Sequence, residues 1–355
     1  MKKIVLIFLV LIIFLPLNCK EEKNSEFAVF PQFAYSQETG FWGGLITYYR
    51  YQIDQDPELK NHLDMMTMYT QKKQLQIRFF PKFNLTNLNS ELNIDTSFMK
   101  WPSEFYGVEN TDPEAEMYKF TPEIFEFELD WKYDLKPNWF LHFYSDQLHS
   151  VIIKRENSVL MTDLPGNEEN ILSGIGSGIS YDSRDSEDYS TKGIFANLKL
   201  HSYSSWLGSD YDYEKLTLDL REFISINRNH VFAFQQYFSY RSDTTPFYRL
   251  FKLGEYVRAF NNELFLNNHG IAFRAEYRFF PFTGKIGQRI GFATFFDTGQ
   301  GMQNLEDLNF SKFRCSFGAG LRISIFVQDR FNLRFDYGRC TTNSSVDIGG
   351  GETFG

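Results

Sequence analysis

Ile271-Ala272-Phe273-Arg274-Ala275-Glu276-Tyr277-Arg278-Phe279 decides the fold. Apolar and aromatic side chains hold the odd positions, and Arg274, Glu276 and Arg278 hold three of the even ones. Period two is the signature of a β-strand with two unlike faces. The pattern recurs along the chain. Phe125, Phe127, Leu129, Trp131 and Tyr133 alternate with Glu126, Glu128, Asp130 and Lys132. Leu216, Leu218 and Leu220 alternate with Thr217, Asp219 and Arg221, and Phe331, Leu333, Phe335 and Tyr337 with Asn332, Arg334 and Asp336. One such strand proves nothing, because a soluble sandwich also buries one face. Many in series, about ten residues long with aromatic ends, point to a transmembrane antiparallel β-barrel. The spacing predicts about sixteen strands, an even number as in bacterial barrels. The first is expected near Phe27–Tyr35 and the last over Val346–Phe354. Asp134 to Asn138, Asn227 to Asn229 and Phe282 to Gln288 read as periplasmic turns. Trp101 to Glu116, Ser158 to Ile171 and Tyr248 to Asn268 read as outer loops.

Composition agrees. The 355 residues include 39 Phe and 20 Tyr, which suits aromatic girdles. Mean hydropathy is −0.36. That average hides a barrel, because lipid-facing and lumen-facing residues alternate. A net charge of −9 excludes an electrostatic footprint for nucleic acid.

Lys2 and Lys3 precede one continuous apolar run, Ile4 to Leu17. This predicts a secretory signal peptide over residues 1–18, so the chain leaves the cytoplasm. Cys19 follows Leu15-Pro16-Leu17-Asn18, a relaxed lipobox, and is a candidate lipidation site. Residues 19–26 would then be a short polar tether and 27–355 the barrel, with no room between for a periplasmic domain. Ordinary cleavage nearby, with Cys19 incidental, stays open as the other reading, although no clear small-x-small site supports it. Cys315 and Cys340 fall at similar heights on adjacent strands but on opposite faces, which predicts free thiols.

The chemistry of common enzymes is missing. Gly174-Ile175-Gly176-Ser177-Gly178 lacks the central serine of a nucleophile elbow. No phosphate loop or metal-ligand spacing occurs, and the six histidines are scattered. The expectation is no enzyme, no cofactor and no metal.

Val257-Arg258-Ala259-Phe260 lies in the polar loop that separates the eleventh and twelfth strands, ahead of Phe296-Asp297-Thr298-Gly299. An arginine at a loop tip and an aspartate in a later strand suggest a loop folded into the lumen and pinned by charge. Exposed, such a pair contributes little. In a walled, partly desolvated lumen it can fix a whole loop.

These segments together resemble the sixteen-stranded barrel of the BamA/TamA outer-membrane assembly superfamily, also called the bacterial surface antigen family. Gly178-Ile179-Ser180-Tyr181-Asp182-Ser183-Arg184-Asp185, followed by Thr191-Lys192-Gly193, is similar to its strand-turn-strand element. Val257-Arg258-Ala259-Phe260 is similar to its loop-six motif, Val-Arg-Gly-Phe. Ala275 to Phe279, Phe296 to Gly299, Gly318 to Arg322 and Leu333 to Gly338 resemble the strands that follow. Val346 to Phe354 resembles its closing strand, read as a signal through Val346, Ile348, Gly351 and Phe354. The resemblance implies that Arg258 pairs inside the lumen with Glu276 and Asp297. It also implies work through a weak seam between the first and last strands, which Gly349-Gly350-Gly351 would suit. Ala259 stands where the family has glycine, so the tip must tolerate a Cβ. Gly355 follows the terminal aromatic residue. Members that insert barrels or export polypeptides carry periplasmic modules that receive substrate. Without such modules, a periplasmic or lipid-anchored partner protein would have to supply them. The expected function is assistance in outer-membrane protein assembly or polypeptide translocation, in outer-membrane lipid. The alternatives are a passive structural or pore-forming barrel and a surface ligand-binding barrel.

Overall fold

Alternation of apolar and polar residues produces sixteen antiparallel staves that close on themselves. The computed structural model describes residues 25–354 apart from 37, 53–59, 110–115, 157–162, 188, 228, 243, 283, 285–288, 327–330 and 342. The strands are β1 Ser25–Ser36, β2 Gly40–Gln52, β3 Lys60–Thr70 and a broken β4, Leu75–Phe79 with Lys82–Leu85. Then come β5 Ser90–Lys100, continued by Ser103–Phe105, β6 Tyr118–Lys136, β7 Trp139–Arg155 and β8 Asn170–Asp182. The second half holds β9 Gly193–Tyr203, β10 Tyr213–Asn227, β11 His230–Arg241 and β12 His269–Phe279. It ends with β13 Ile290–Met302, β14 Arg314–Phe326, β15 Phe331–Cys340 and β16 Ser344–Gly350. Pro81, which has no N–H to give to a ladder, sits at the break in β4. No described helix is long and apolar enough to cross a membrane.

The two faces differ as the pattern demands. Phe33, Phe143, Ile175, Leu198, Phe234 and Phe317 are exposed on the outside. Arg274, Glu276, Arg278, Asp297, Arg322 and Asp336 are buried on the inside. A soluble protein of this kind would expose far too much apolar surface. Lipid satisfies that face, and pairing between neighbouring staves satisfies the backbone around the wall.

Closure is uneven. β1 pairs with β2 along its whole length, from Ser25↔Tyr51 to Ser36↔Gly40. β15 pairs with β16 from Leu333↔Gly350 to Arg339↔Ser344. β1 and β16 meet at one register position, Tyr35↔Ile348. A cavity of about 550 Å³ opens beside it, lined by Tyr35, Phe41, Ser344, Ser345, Val346 and Ile348.

Several boundaries differ from the sequence expectation. β1 begins at Ser25, inside the stretch read as a tether, and residues 1–18 and Cys19 lie outside the described residues. Asp134 to Lys136 continue β6, so that turn is tighter than expected. The last strand stops at Gly350 rather than running to Phe354, because Gly351 turns the chain at φ 75°. That left-handed angle suits glycine. Cys315 is exposed, Cys340 is buried, and both are free thiols.

Candidate functional site

The segment between β11 and β12 carries its own apolar package. Val257, fully buried, packs with Phe251, Leu253, Leu264 and Phe265, and Phe260 covers them, meeting Phe265 edge-on at 5.7 Å. A two-residue ladder, Phe251↔Asn267 and Lys252↔Leu266, ties its two arms together. With its apolar side chains turned on each other, the segment presents Arg258 to the inner wall of the barrel.

Arg258 meets three acids there. Its Nε donates to Asp297 Oδ2 at 2.6 Å and its Nη2 to Asp297 Oδ1 at 2.8 Å, a two-point fork. Nη1 donates to Glu276 Oε2 at 2.9 Å and to Asp336 Oδ2 at 3.3 Å. The Arg258 backbone N–H also reaches Asp297, at 3.2 Å. The guanidinium lies 3.3 Å from the centroid of the Phe295 ring, within cation–π range. Burial opposes the charge of Arg258 more than any single contact favours it, but the hydrogen bonds to Asp297 and the charges of Asp297, Glu276 and Asp336 together outweigh it, and its pKa is held above the ordinary arginine range.

Glu276 is the hub of a wider network. Arg278 Nε donates to it at 2.8 Å and Arg322 Nη2 at 3.3 Å. Arg322, fully buried, also donates to Asp336 Oδ1 at 2.5 Å and to Glu352 Oε2 at 2.8 Å. Arg334 Nη2 meets Asp347 at 2.6 Å, and Arg274 approaches Asp297 at 3.7 Å. The arginines 258, 274, 278, 322 and 334 are thus matched one for one by Glu276, Asp297, Glu352, Asp336 and Asp347. Such a balance is needed, since an unpaired buried charge is strongly unfavourable. Gly320 keeps the space for it: a Cβ there would run into the Asp336 and Arg322 side chains.

The residues after Gly350 enter this network. Thr353 Oγ1 accepts from Arg334 Nη1 at 2.5 Å and from Arg258 Nη1 at 3.4 Å. The Phe354 carbonyl accepts from Arg278 Nη2 at 2.7 Å, and its buried ring packs against Phe223. Gly351 and Phe354, read from sequence as strand residues, are the hinge and anchor of an inward-turned tail. Val346 and Ile348 stay in the strand, opposite Tyr337 and Phe335.

Ala259 has φ 71°, a left-handed angle that disfavours a Cβ. Ala259→Gly is therefore expected to raise barrel stability by up to about 1 kcal/mol, the strain relieved less the added freedom of the unfolded chain. Urea unfolding in micelles checks this. A drop of similar size would show that the alanine methyl packs better than the angle strains.

Sequence reasoning named Arg258, Glu276 and Asp297. It quoted Arg322, Asp336 and Glu352 without giving them a role. Parity puts Glu276, Asp297, Arg322 and Asp336 on the polar face but does not say which meet, and it gives Glu352 the same face as Val346 and Ile348. Two other inner clusters went unseen. Arg249 pairs with Glu126 and approaches Asp146 at 3.5 Å. Glu126, Glu128 and Asp146 come close enough to share a cation, and Arg249 already supplies one to two of them. Asp130, His142 and Ser180 form a hydrogen-bonded chain, 2.8 Å at each step. Ser180 lies within β8, paired to Phe140 on one side and Asn197 on the other. The chain of bonds cross-links three staves.

The model of the Omp85 superfamily domain matches residues 61–354. No curated protein matches the chain by sequence. Among solved structures, BamA from Haemophilus ducreyi lacking POTRA domains 1–3 superposes with a TM-score of 0.67 at 14% identity, over 93% of this chain and 71% of that one. CdiB from Escherichia coli gives 0.65 at 12% identity over 94% and 64%, and CdiB from Acinetobacter baumannii 0.60 at 12% over 93% and 60%. The chain spans less than two thirds of either CdiB chain. At such identities the likeness speaks for the fold. The family match covers most of the chain and includes the loop and the closing strand, so the chain belongs to the Omp85 superfamily of outer-membrane β-barrels.

Proposed function

We propose that this barrel assists the assembly of outer-membrane proteins or the export of polypeptides, together with a separate chain that receives the substrate. The observation that carries this is the seam. A ladder joined at Tyr35↔Ile348 alone offers the backbone groups of two strand edges to another strand. The neighbouring ladders are continuous, so an opening would start here. The loop inside the lumen favours this over an open pore: it and its ion pairs occupy part of the space that solutes would need.

The segment also touches both sides of the seam from within. Asn262 Nδ2 donates to Glu38 Oε2 at 2.5 Å, in the turn after β1, and Arg258 reaches Thr353, beyond β16. Glu38 also accepts from Trp101 Nε1 at 3.2 Å. Burial, followed by the nearby Glu263, pushes the Glu38 carboxyl up from its ordinary pKa. In this reading Arg258, Glu276 and Asp297 lock the loop, and the loop clasps the seam.

A staple tests the proposal. Tyr35→Cys with Ile348→Cys puts two thiols at directly opposite strand positions, within disulfide reach. Outer-membrane vesicles from the native host retain any partner chain. With the staple oxidised, folding of newly supplied barrel proteins, or release of an exported polypeptide, should fall more than about tenfold. Reduction should restore it. Equal rates in both redox states would sink the seam mechanism and leave a passive barrel. A stoichiometric partner recovered in mild detergent would supply the receiving chain.

A further inference from the structure

We propose that His201, Lys215 and Arg241 form an oxyanion site inside the barrel that binds the phosphate of a phosphate monoester. The three residues stand in one row on β9, β10 and β11. His201 is the register partner of Lys215, and Lys215 that of Arg241. Like charges directly opposite on neighbouring strands repel, more so away from water. Yet among the described residues neither Lys215 nor Arg241 has an ion pair within 4.0 Å. Arg241 is 7% exposed. Its Nη1 donates to Ser239 Oγ at 2.7 Å, but its buried Nε has no partner. His201 Nδ1 is buried without a partner too. Elsewhere in this lumen the arginines are matched by acids. Among the described residues this row differs from that wall.

Space lies in front of it. Lys215 borders two cavities. One, of about 480 Å³, is shared with Arg241 and Arg249, and the other, of about 670 Å³, is shared with His201. Most acids that face these cavities near the row are engaged. Glu126 and Asp146 hold Arg249, Asp146 also accepts from Tyr203, and Glu263 holds Lys252. Glu255 and Glu128 face the space with no ion pair within 4.0 Å among the described residues. They would repel a second anionic group and accept hydrogen bonds from hydroxyls.

That arrangement selects a ligand class. Donors on three adjacent strands are spread over about 10 Å of wall, and Lys215, which borders both cavities, stands between the other two. A carboxylate offers two oxygens, while a phosphate offers three to three donors. Glu255 and Glu128 then suit a hydroxylated body, which describes a sugar phosphate, free or carried on a lipid.

Calorimetric titration of the detergent-purified barrel with glucose 6-phosphate, at constant ionic strength, tests the site. Wild type should bind, and unphosphorylated glucose should not. Lys215→Gln and Arg241→Gln should each weaken binding at least about tenfold, the loss of one charged hydrogen bond. Lys199→Gln, one rung away, should not. Two variants guard against one that misfolds, and heat-modifiable mobility on gels reports the fold of each. Phosphorylated lipopolysaccharide that competes, when its dephosphorylated form does not, would assign a lipid source. Binding of glucose 6-phosphate without that competition would assign a free one. Absence of binding at millimolar ligand, or equal binding by wild type and both variants, would overturn the proposal.

Discussion

Replacing Arg258 with glutamate is expected to lower the unfolding free energy of the barrel by at least about 3–5 kcal/mol. The new carboxylate would face Glu276, Asp297 and Asp336, all buried and already short of one partner. Water cannot easily rescue these acids, since Glu276 and Asp297 side chains are fully buried. The segment 242–268 should leave its seat and become open to protease, while the strands stay paired. Arg258→Lys keeps the charge but cannot reproduce the two-point fork on Asp297 together with the contact to Glu276. Its loss should be smaller, about 1.5–3 kcal/mol. Urea unfolding in micelles and limited proteolysis separate the two variants. If Arg258→Glu unfolds within about 1 kcal/mol of wild type, the arginine is not what seats the loop.

Glu276→Gln should be comparably severe. This change keeps the shape and removes one charge from a site where Arg258, Arg278 and Arg322 converge. Arg322 keeps Asp336 and Glu352, and Arg258 keeps Asp297, so the arginines are not stranded. The cluster nevertheless carries one buried positive charge in excess. A loss of about 3–5 kcal/mol is expected, as for breaking a buried pair from one side. The same variant should loosen the tail, because Arg278 also holds the Phe354 carbonyl. Fluorescence from a probe placed after Phe354 would report its release. An unchanged unfolding midpoint would mean that another group takes up the charge, and the hub would have to be redrawn around Asp336.

Both experiments bear on the seam. Arg258 bonds Thr353, and Arg322 bonds Glu352, so loop and tail share one charged network. If loop release leaves the Tyr35↔Ile348 contact intact, the lock and the seam act separately. If cysteine cross-linking at those two positions falls in Arg258→Glu, the loop supports the closure.

Much of this was legible in the residues themselves. Alternation over Ile271 to Phe279 and its sister segments sets strand, face and number, because side chains of a strand must point alternately to lipid and lumen. The same parity separates Cys315 from Cys340 and puts Glu276 and Asp297 on the inner wall. Other features depend on register and on the turn around the barrel, which parity does not carry. The sequence shows Gly349-Gly350-Gly351 but not which glycine turns the strand inward. It shows Arg322 and Asp336 on polar faces but not that they meet, nor that Glu352, which shares parity with Val346 and Ile348, is turned inward to join them. His201, Lys215 and Arg241 are unremarkable apart from one another; only strand pairing brings them into one row. The one-position closure between Tyr35 and Ile348 joins the two ends of the chain, and long-range pairing of that kind is decided by how the whole sheet curves shut. Sequence determined the wall of this protein, because a strand's faces follow from its own residues. The tertiary structure alone decided the charged interior and the weak seam, because both arise where strands distant in the chain come to the same height.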